Sequence, residues 1–394
     1  MKAENKKKRV LHIIDSFGTG GAETWLLACV KYLHQHPEIN LQFDFLASGG
    51  KKGVFDDEIK SYGSEIFYQK YSLTKFFPFR SALRKILNER KYVAIHNHLD
   101  FISGWHFLAA SCSRPAQLIS HLHNPWNFVE NYVTNPFRWI SFKLGRLLTA
   151  LFATQITGTS DAVMDEYGYD KWPFSKKRVA PRYCGFKVQD FLFNETSKKK
   201  ICEEFGWEES VHIALFIGRI NEEASNKQAI NQKNPQFAFN ISNEICSKND
   251  NWKFVFVGTR GKTAEKMVEE VAANKLSESI RFVGERRDIP TIMHAADILV
   301  FPSLWEGLGM VSVEAQAAGT FVLASENIPV EARLNDELFK VKLLSEGPEN
   351  WADEVVKYKR IWGKSKEYND MVMKSPFEIE NSINNLIGLY KTTS

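Results

Sequence analysis

A chain of 394 residues is longer than one hydrophobic core ordinarily organises, so two domains of roughly 200 residues are expected. With 44% hydrophobic and 25% charged residues it reads as globular, and its five scattered cysteines, Cys29, Cys112, Cys184, Cys202 and Cys246, form no CxxC pair, which argues against a disulfide framework or a structural zinc. A net charge of +4 is too small to indicate nucleic acid, and no apolar run approaches the roughly 18 to 20 residues that span a bilayer.

The start, "MKAENKKKRVLHIID", is basic without the apolar core of a signal peptide, and a cytoplasmic protein is expected. "RVLHIID" reads as a strand, "GTGG" as a turn, and "AETWLLACVKYLHQH" as a helix with Leu26, Leu27, Val30 and Leu33 on one face. Strands are also expected at "LQFDFLA", "SEIFYQ", "YVAIHNH", "AQLISHL" and "QITGTS". Two helical stretches combine apolar and basic residues. In "FFPFRSALRKILNERKY", Leu83, Ile86 and Leu87 can share a face beside Arg80, Arg84, Lys85, Arg90 and Lys91. In "PFRWISFKLGRLLTALFA", Ile140, Leu144, Leu147, Leu148 and Leu151 make one stripe, with Arg138, Lys143 and Arg146 largely elsewhere. Such helices either lie on an anionic membrane surface or pack on a sheet as ordinary surface helices.

The turn-rich, lysine-rich stretch from about 185 to 210 reads as a linker. Beyond it the grammar restarts at "VHIALFIGR" and continues through "WKFVFVG", "SIRFVG", "ADILVFPS" and "TFVLAS". Strands separated by helices imply right-handed crossovers and parallel sheets. The expected fold is α/β, two Rossmann-like, doubly wound domains over residues 1–190 and 191–375, with ligands in the cleft that faces the carboxyl ends of their strands. A last helix, within 376–394, fits either half.

Four features carry chemistry. The glycines of "GTGGAE", residues 18–23, follow the first strand and open a helix, which suits an anion, although the pattern is not GxGxxG. His96 and His98 end one strand, and His121 and His123 another. Residues two apart share a face, but no carboxylate or cysteine at ligand spacing accompanies them, so a neutral histidine bonding a sugar or accepting a proton is favoured over a metal. Arg219 follows a strand and Lys233 precedes a helix, placing two cations where a diphosphate leaving group could develop charge. Finally, "FPSLWEGLGMVSVEAQAAGT" holds Glu306 and Glu314. On one continuous helix they would stand about 12 Å apart along the axis, a poor fit to a glycosidase pair at roughly 5 to 9.5 Å. Glu306 in a loop, a helix beginning near Leu308, and amides from Gly307, Leu308, Gly309 and Met310 instead suggest an anion site, with Glu306 accepting from a sugar and Glu314, two turns in, from a ribose.

Taken with "HNHLDFISGW", "LISHLHN", "GTSDAV", "QKNP", "IRFVGERRDI" and "ASENIPVEA", these motifs resemble a retaining glycosyltransferase of the GT-B fold, family 4, most of all the branch that builds bacterial exopolysaccharide, capsule and lipopolysaccharide. The resemblance spans nearly the whole chain. It implies transfer of a hexose or N-acetylhexosamine from a nucleoside-diphosphate sugar, with UDP the expected carrier, to a saccharide or lipid-linked saccharide, with retention of configuration. Gly20 and Gly21 would lie near the donor phosphates, His121 would contact the transferred sugar with His123 as second candidate, Arg219 and Lys233 would bind the diphosphate, Glu306 and the amides after it the sugar, and Glu314 the ribose. Arg286, in "VGERRDI", would lie near the base. The long insertion between Arg219 and Lys233 makes Lys227 a rival cation, and "YCGF" replaces the family's usual "NG" between the domains, leaving Gly185. With no DxD motif, no metal or other cofactor is expected. Front-face attack by the acceptor hydroxyl, assisted by the leaving phosphate, is the mechanism the family implies, at the inner face of the plasma membrane. A nicotinamide-dependent oxidoreductase would also explain two Rossmann-like halves, but needs GxGxxG and a ribose-binding acid that are not evident. An inactive membrane-surface scaffold predicts loss of Arg219, Lys233, Glu306 or Glu314, and all four are present.

Overall fold

The apolar runs pair into two separate six-stranded sheets, and each recorded strand pairing is parallel. The computed structural model describes residues 7–113, 117–127, 135–171, 174–192, 194–220, 231–259, 261–358, 360 and 362–390. The chain divides into two units, Met1–Phe186 with Pro376–Ser394, and Lys187–Ser375. The crossing point thus falls just before the boundary at 190 read from sequence, and the last helix returns to the first unit.

The first unit contains β1 (Lys8–Ile14), α1 (Gly21–Gln35), β2 (Leu41–Ala47), α2 (Asp56–Ser61), β3 (Ile66–Tyr68), α3 (Phe76–Arg90), β4 (Ala94–Asn97), α4 (Ser103–Ala110), β5 (Gln117–Leu122), α5 (Pro136–Phe152), β6 (Gln155–Gly158) and α6 (Asp161–Glu166). Its sheet order is β3-β2-β1-β4-β5-β6. Strand direction of growth therefore reverses between β1 and β4, the switch point where open α/β sheets bind ligands. One face of the sheet, through Leu11, Ile13, Ile95, Leu118 and Leu122, packs on Phe79, Leu83 and Leu87 of α3 and Phe107 of α4. The alternate residues of the same strands, His12, His96 and His121, fill the other face and are buried too.

Helix α5 departs from one of the two arrangements expected for it, packing on the sheet. Its apolar stripe does not pack on the sheet: Phe137 is 82% exposed, Ile140 57% and Leu151 58%, with Trp139, Leu144 and Leu147 also exposed. Its fully buried residues are small, Gly145, Thr149 and Ala150, and beside them Phe142 packs on Phe101. A Cβ on Gly104 of α4 would run into the Gly145 carbonyl and lie 2.5 Å from the Thr149 amide, and one on Gly145 would strike the Phe101 carbonyl. The two helices cross at backbone contact, and Trp105 Nε1 donates to the Ser141 carbonyl at 3.1 Å. Gly104→Ala is expected to destabilise the protein by roughly 1–3 kcal/mol through overpacking at this crossing. An unchanged urea midpoint would remove the crossing as its cause.

The second unit contains α7 (Thr196–Phe205), β7 (His212–Ile217), α8 (Pro235–Lys248), β8 (Trp252–Val257), α9 (Lys262–Ala273), β9 (Ile280–Gly284), α10 (Ile289–Ala295), β10 (Ile298–Phe301), α11 (Met310–Ala317), β11 (Phe321–Ser325), β12 (Phe339–Lys342), α12 (Gly347–Lys357) and α13 (Ser365–Met373). Two corrections to the sequence reading arise here. The stretch read as a linker holds α7, whose Ile201 and Cys202 are buried, and β12 at the sheet edge has no counterpart among the expected strands. The order β12-β11-β10-β7-β8-β9 places this sheet's switch point between β7 and β10. Helix α14 (Ile379–Leu389) belongs to the first unit, where Ser382 Oγ accepts from Trp25 Nε1 at 3.0 Å and donates to the Tyr183 carbonyl at 2.8 Å. Among the described residues no helix is long and apolar enough to cross a membrane. Cys29, Cys184, Cys202 and Cys246 are buried free thiols, and burial pushes Cys246 up to about 12, which keeps it protonated and unreactive.

Candidate active site

The residues singled out in the second unit meet at its switch point. Strand β7 ends at Ile217 and runs into Gly218 and exposed Arg219; β10 ends at Phe301 and runs into the loop that carries Glu306. Gly258, after β8, has φ +146°, and a Cβ there would collide with the Gly218 carbonyl, so two loops pass at backbone contact. On the other side of Gly218 lies the stem of Lys233, whose Cγ is 2.9 Å from where a Gly218 Cβ would stand. Lys233 precedes Asn234, which takes a left-handed φ of 52° and turns the chain into α8. The Lys233 ammonium sits 2.6 Å from Glu306 Oε1 and 5.0 Å from the centroid of Phe301. Gln232 fastens the same loops: its carbonyl accepts from the Leu304 amide at 2.8 Å and its side chain donates to the Trp305 carbonyl at 3.0 Å. The cation expected at a diphosphate and the carboxylate expected at a sugar are therefore partners of one ion pair, with Glu306 only 8% exposed.

Glu306 lies in the loop, as its spacing suggests, but the helix begins at Met310 and not near Leu308. Gly309 has φ +90°, and a Cβ there would also stand 3.1 Å from Phe301, so glycine serves both the turn and the packing. No acidic residue lies in the first turn of α11, and no side chain caps it; Ser312 turns its amide and hydroxyl back onto the Gly309 carbonyl at 2.9 and 2.7 Å. The leading amides remain available to an anion. Glu314 is the fifth residue of the helix, one turn in and not two. Burial pushes its carboxyl up to about 7, against the pull of the Lys233 charge. Arg286 is fully occupied by the protein, held by Asp288 at 2.8 Å through two nitrogens and by Glu204, and these carboxylates raise its pKa. It braces the loop after β9. Lys227 lies outside the described residues. A cleft lined by Lys198, His212 and Asp297 sits at the amino ends of β7 and β10, the opposite edge from these loops. There Asp297 accepts from the Ile213 amide at 2.8 Å and pairs with Lys198 at 3.3 Å, which secures the strand starts.

In the first unit the glycine turn opens α1, with Gly20 as its N-cap. The anion expected at Gly20 and Gly21 meets a resident: the Glu23 carboxylate folds over Gly20 so closely that a Cβ there would strike it. A phosphate would have to displace this acid. Beside the turn, the switch point is filled by histidines. His12 Nδ1 is 2.9 Å from His98 Nε2, and His98 Nδ1 is 2.9 Å from His123 Nε2; His96 Nε2 is 3.2 Å from His121 Nδ1, and His96 Nδ1 is 2.6 Å from the Tyr390 hydroxyl. Trp25 makes T-shaped contacts with His98 and His121. Burial depresses every ring, His12 to about 3 and His123 to about 4, and neighbouring imidazoles add to the effect on His96, His98 and His121, so the cluster is neutral at pH 7. Asp100 accepts from the amides of His123 and Asn124 and from Asn124 Nδ2, while burial raises its own carboxyl to about 6. Ring nitrogens of His12, His96 and His98, and of His98, His121 and His123, come within 4.8 Å of one another. The rings stack pairwise, 18° apart in both His96–His98 and His121–His123, while His12–His98 and His98–His123 meet nitrogen to nitrogen. This is a hydrogen-bonded array. His121 is 0% exposed within it, whereas His123, just past the end of β5, is half-buried and reaches the edge.

Comparison with known proteins matches the same two halves. The family described as Glycosyltransferase Family 4 matches residues 19–186, and that described as Glycosyl transferases group 1 matches residues 212–358. The chain belongs to these glycosyltransferases. EpsF of Bacillus subtilis is 24% identical over 99% of this chain and 98% of its own, and the capsular polysaccharide biosynthesis glycosyltransferase CapH of Staphylococcus aureus is 26% identical over 97% and 98%. HepE of Anabaena, solved in complex with UDP and glucose, superposes with a TM-score of 0.73 over 97% of this chain and 98% of that one at 16% identity, which establishes the shared GT-B fold. For such a glycosyltransferase the sequence reading overlooked His12, Gln232 and Asp100. His12 shows its place only once β1 pairs with β4, where it stands opposite His96 and so on the same face as both HxH pairs.

Proposed function

We propose that this glycosyltransferase moves a hexose or N-acetylhexosamine from a UDP-sugar to a saccharide or lipid-linked saccharide of a bacterial surface polysaccharide, with retention of configuration and without a metal. The observation that carries the reading is the convergence of Arg219, Lys233, Glu306, the free end of α11 and Glu314 on one switch point. A diphosphate there finds cations and amides as its charge develops, which is the electrostatic task that a metal performs elsewhere. Glu306 accepts from the sugar and Glu314 from the ribose diol. Of the two candidate histidines of the first unit, His123 is half-buried just past the end of β5 and the more open to a sugar, while His121 is enclosed. The UDP bound to HepE, and the capsule role in the name of CapH, support the donor and the pathway class. The test is a thermal melt against a set of nucleotide sugars: one UDP-sugar should raise the melting temperature at concentrations near its Kd. If no nucleoside diphosphate or its sugar shifts the melt or gives heat by calorimetry, the reading fails.

The acceptor end works at a membrane surface. The outward stripe of α5, through Ile140, Leu144, Leu147 and Leu151, and exposed Phe77 of α3 offer apolar area, and Arg84 and Lys85 supply positive charge. Flotation with anionic liposomes should fall as salt rises. Each of Leu144→Ser, Leu147→Ser and Leu151→Ser should weaken partition by roughly tenfold, the worth of about 1.5 kcal/mol of side-chain burial. Flotation that ignores both salt and these changes would rule the surface out.

A further inference from the structure

The histidine array leaves one question of direction, and its answer defines what His123 offers a substrate. His12, His98 and His123 form a single file joined by two nitrogen-to-nitrogen bonds of 2.9 Å. All three rings are neutral, so each carries one N–H, and each bond needs a donor on one side and a lone pair on the other. Only two arrangements satisfy both bonds. In the first, His12 donates from Nδ1, His98 donates from Nδ1, and His123 keeps its proton on its own Nδ1. In the second, every proton moves to Nε2 and every arrow reverses.

The inner end separates them. His12 Nε2 is buried and has no hydrogen-bond partner among the described residues. Its ring lies 4.2 Å from Phe43 and 5.5 Å from Phe45, centroid to centroid, so its surroundings are aromatic. The second arrangement buries an N–H there with nothing to receive it, the rarer kind of orphan in folded proteins; the first leaves a bare lone pair. At the outer end both arrangements are served equally by solvent, because His123 is half-buried. The inner, aromatic end therefore decides the tautomer of the outer ring.

We propose that His12 and His98 are positioning residues that lock His123 in its Nδ1–H tautomer, so that this ring presents a hydrogen-bond donor to a sugar hydroxyl and does not act as a base. The inference rests on the sugar-transfer reading for its purpose and not for its geometry. The donor role follows from chemistry: an N–H fixes an oxygen of the transferred sugar and takes up no proton, consistent with a transfer in which the leaving phosphate receives the proton of the attacking acceptor hydroxyl.

The tautomer is read directly from the nitrogen resonances of histidine-labelled wild-type protein, with no substrate present. The expected spectrum shows His123 with a protonated Nδ1 and an unprotonated Nε2. His98→Phe removes the ring bonded to His123 Nε2; His123 should then show both tautomers in exchange, and kcat for transfer should fall several-fold while stabilisation by UDP is unchanged. A wild-type His123 protonated on Nε2 overturns the proposal, whether or not the variant folds. So does His98→Phe with an unaltered His123 spectrum. Loss of UDP stabilisation in wild-type protein would instead count against the transferase reading and leave the tautomer result standing.

Discussion

Lys233→Ala is expected to cost both activity and stability, and the two losses should separate in a double variant. Removing the ammonium takes away a cation that meets the leaving diphosphate, a loss of roughly 10²- to 10³-fold in kcat by analogy with other preorganised charge-stabilising groups. It also strands the Glu306 carboxylate, 2.6 Å away and almost enclosed, without its partner. Breaking a buried pair by removing one member costs about 3–5 kcal/mol, whereas replacing both with apolar groups of similar volume is often neutral. Lys233→Met with Glu306→Leu should therefore recover most of the urea midpoint lost in Lys233→Ala, yet transfer no sugar. Glu306→Ala alone should slow transfer more than it weakens UDP binding. If the double variant is as unstable as Lys233→Ala, the ion pair is not what the site's stability depends on. If either single variant transfers at the wild-type rate, the donor-site assignment is wrong.

The second large effect concerns Glu314. Its carboxyl titrates near 7 in the folded protein because burial disfavours the charge, well above the ordinary value of 4.5. The sign follows from linkage: the unfolded chain releases this proton more readily, so the group's stabilising contribution is complete below about pH 4.5 and is lost as pH rises through about 7. Donor binding should run the other way. An ionised carboxylate accepts both hydroxyls of a ribose diol, while a protonated one has committed an oxygen to its own hydrogen, so UDP affinity should rise between pH 6 and 8. Glu314→Gln should abolish that rise, weaken UDP by roughly 10- to 100-fold, the worth of about 1.5–3 kcal/mol for hydrogen bonds to a charged group, and raise the melting temperature of the unliganded protein at pH 8 by roughly 2–4 °C. Calorimetry and melts at the two pH values check all three. A variant that binds UDP as tightly as wild type would exclude Glu314 from the ribose.

What could be read from sequence follows from how each element is stabilised. Parallel strands buried on both faces are continuous apolar runs, so "HIALFI" and "ILVF" announce themselves, whereas "FKVK" at a sheet edge alternates with lysine and gives little signal. Helix α7 is lysine-rich on its solvent side and resembles a linker until Ile201 is seen to be buried. The frame around Glu306 and Glu314 was legible because a strand, a glycine-bearing loop and a helix start are all local. The pairing of Lys233 with Glu306 was not, since it spans 73 residues and exists only because β7 and β10 are neighbours. The same limit hid His12, which joins His98 only once β1 and β4 pair. For α5, periodicity shows that a stripe exists and cannot say which way it faces.

That helix carries a practical lesson for anyone altering the protein. At the α4–α5 crossing there is room only for hydrogen where Gly104 and Gly145 meet, so this part of the helix admits nothing bulky, while Ile140, Leu144, Leu147 and Leu151 face outward. At these positions hydropathy and importance to folding run in opposite directions. A redesign for solubility that rewrites Leu144, Leu147 and Leu151 as polar residues should leave the architecture intact, while a consensus change that fills either glycine with the commonest helix former, alanine, should destabilise it.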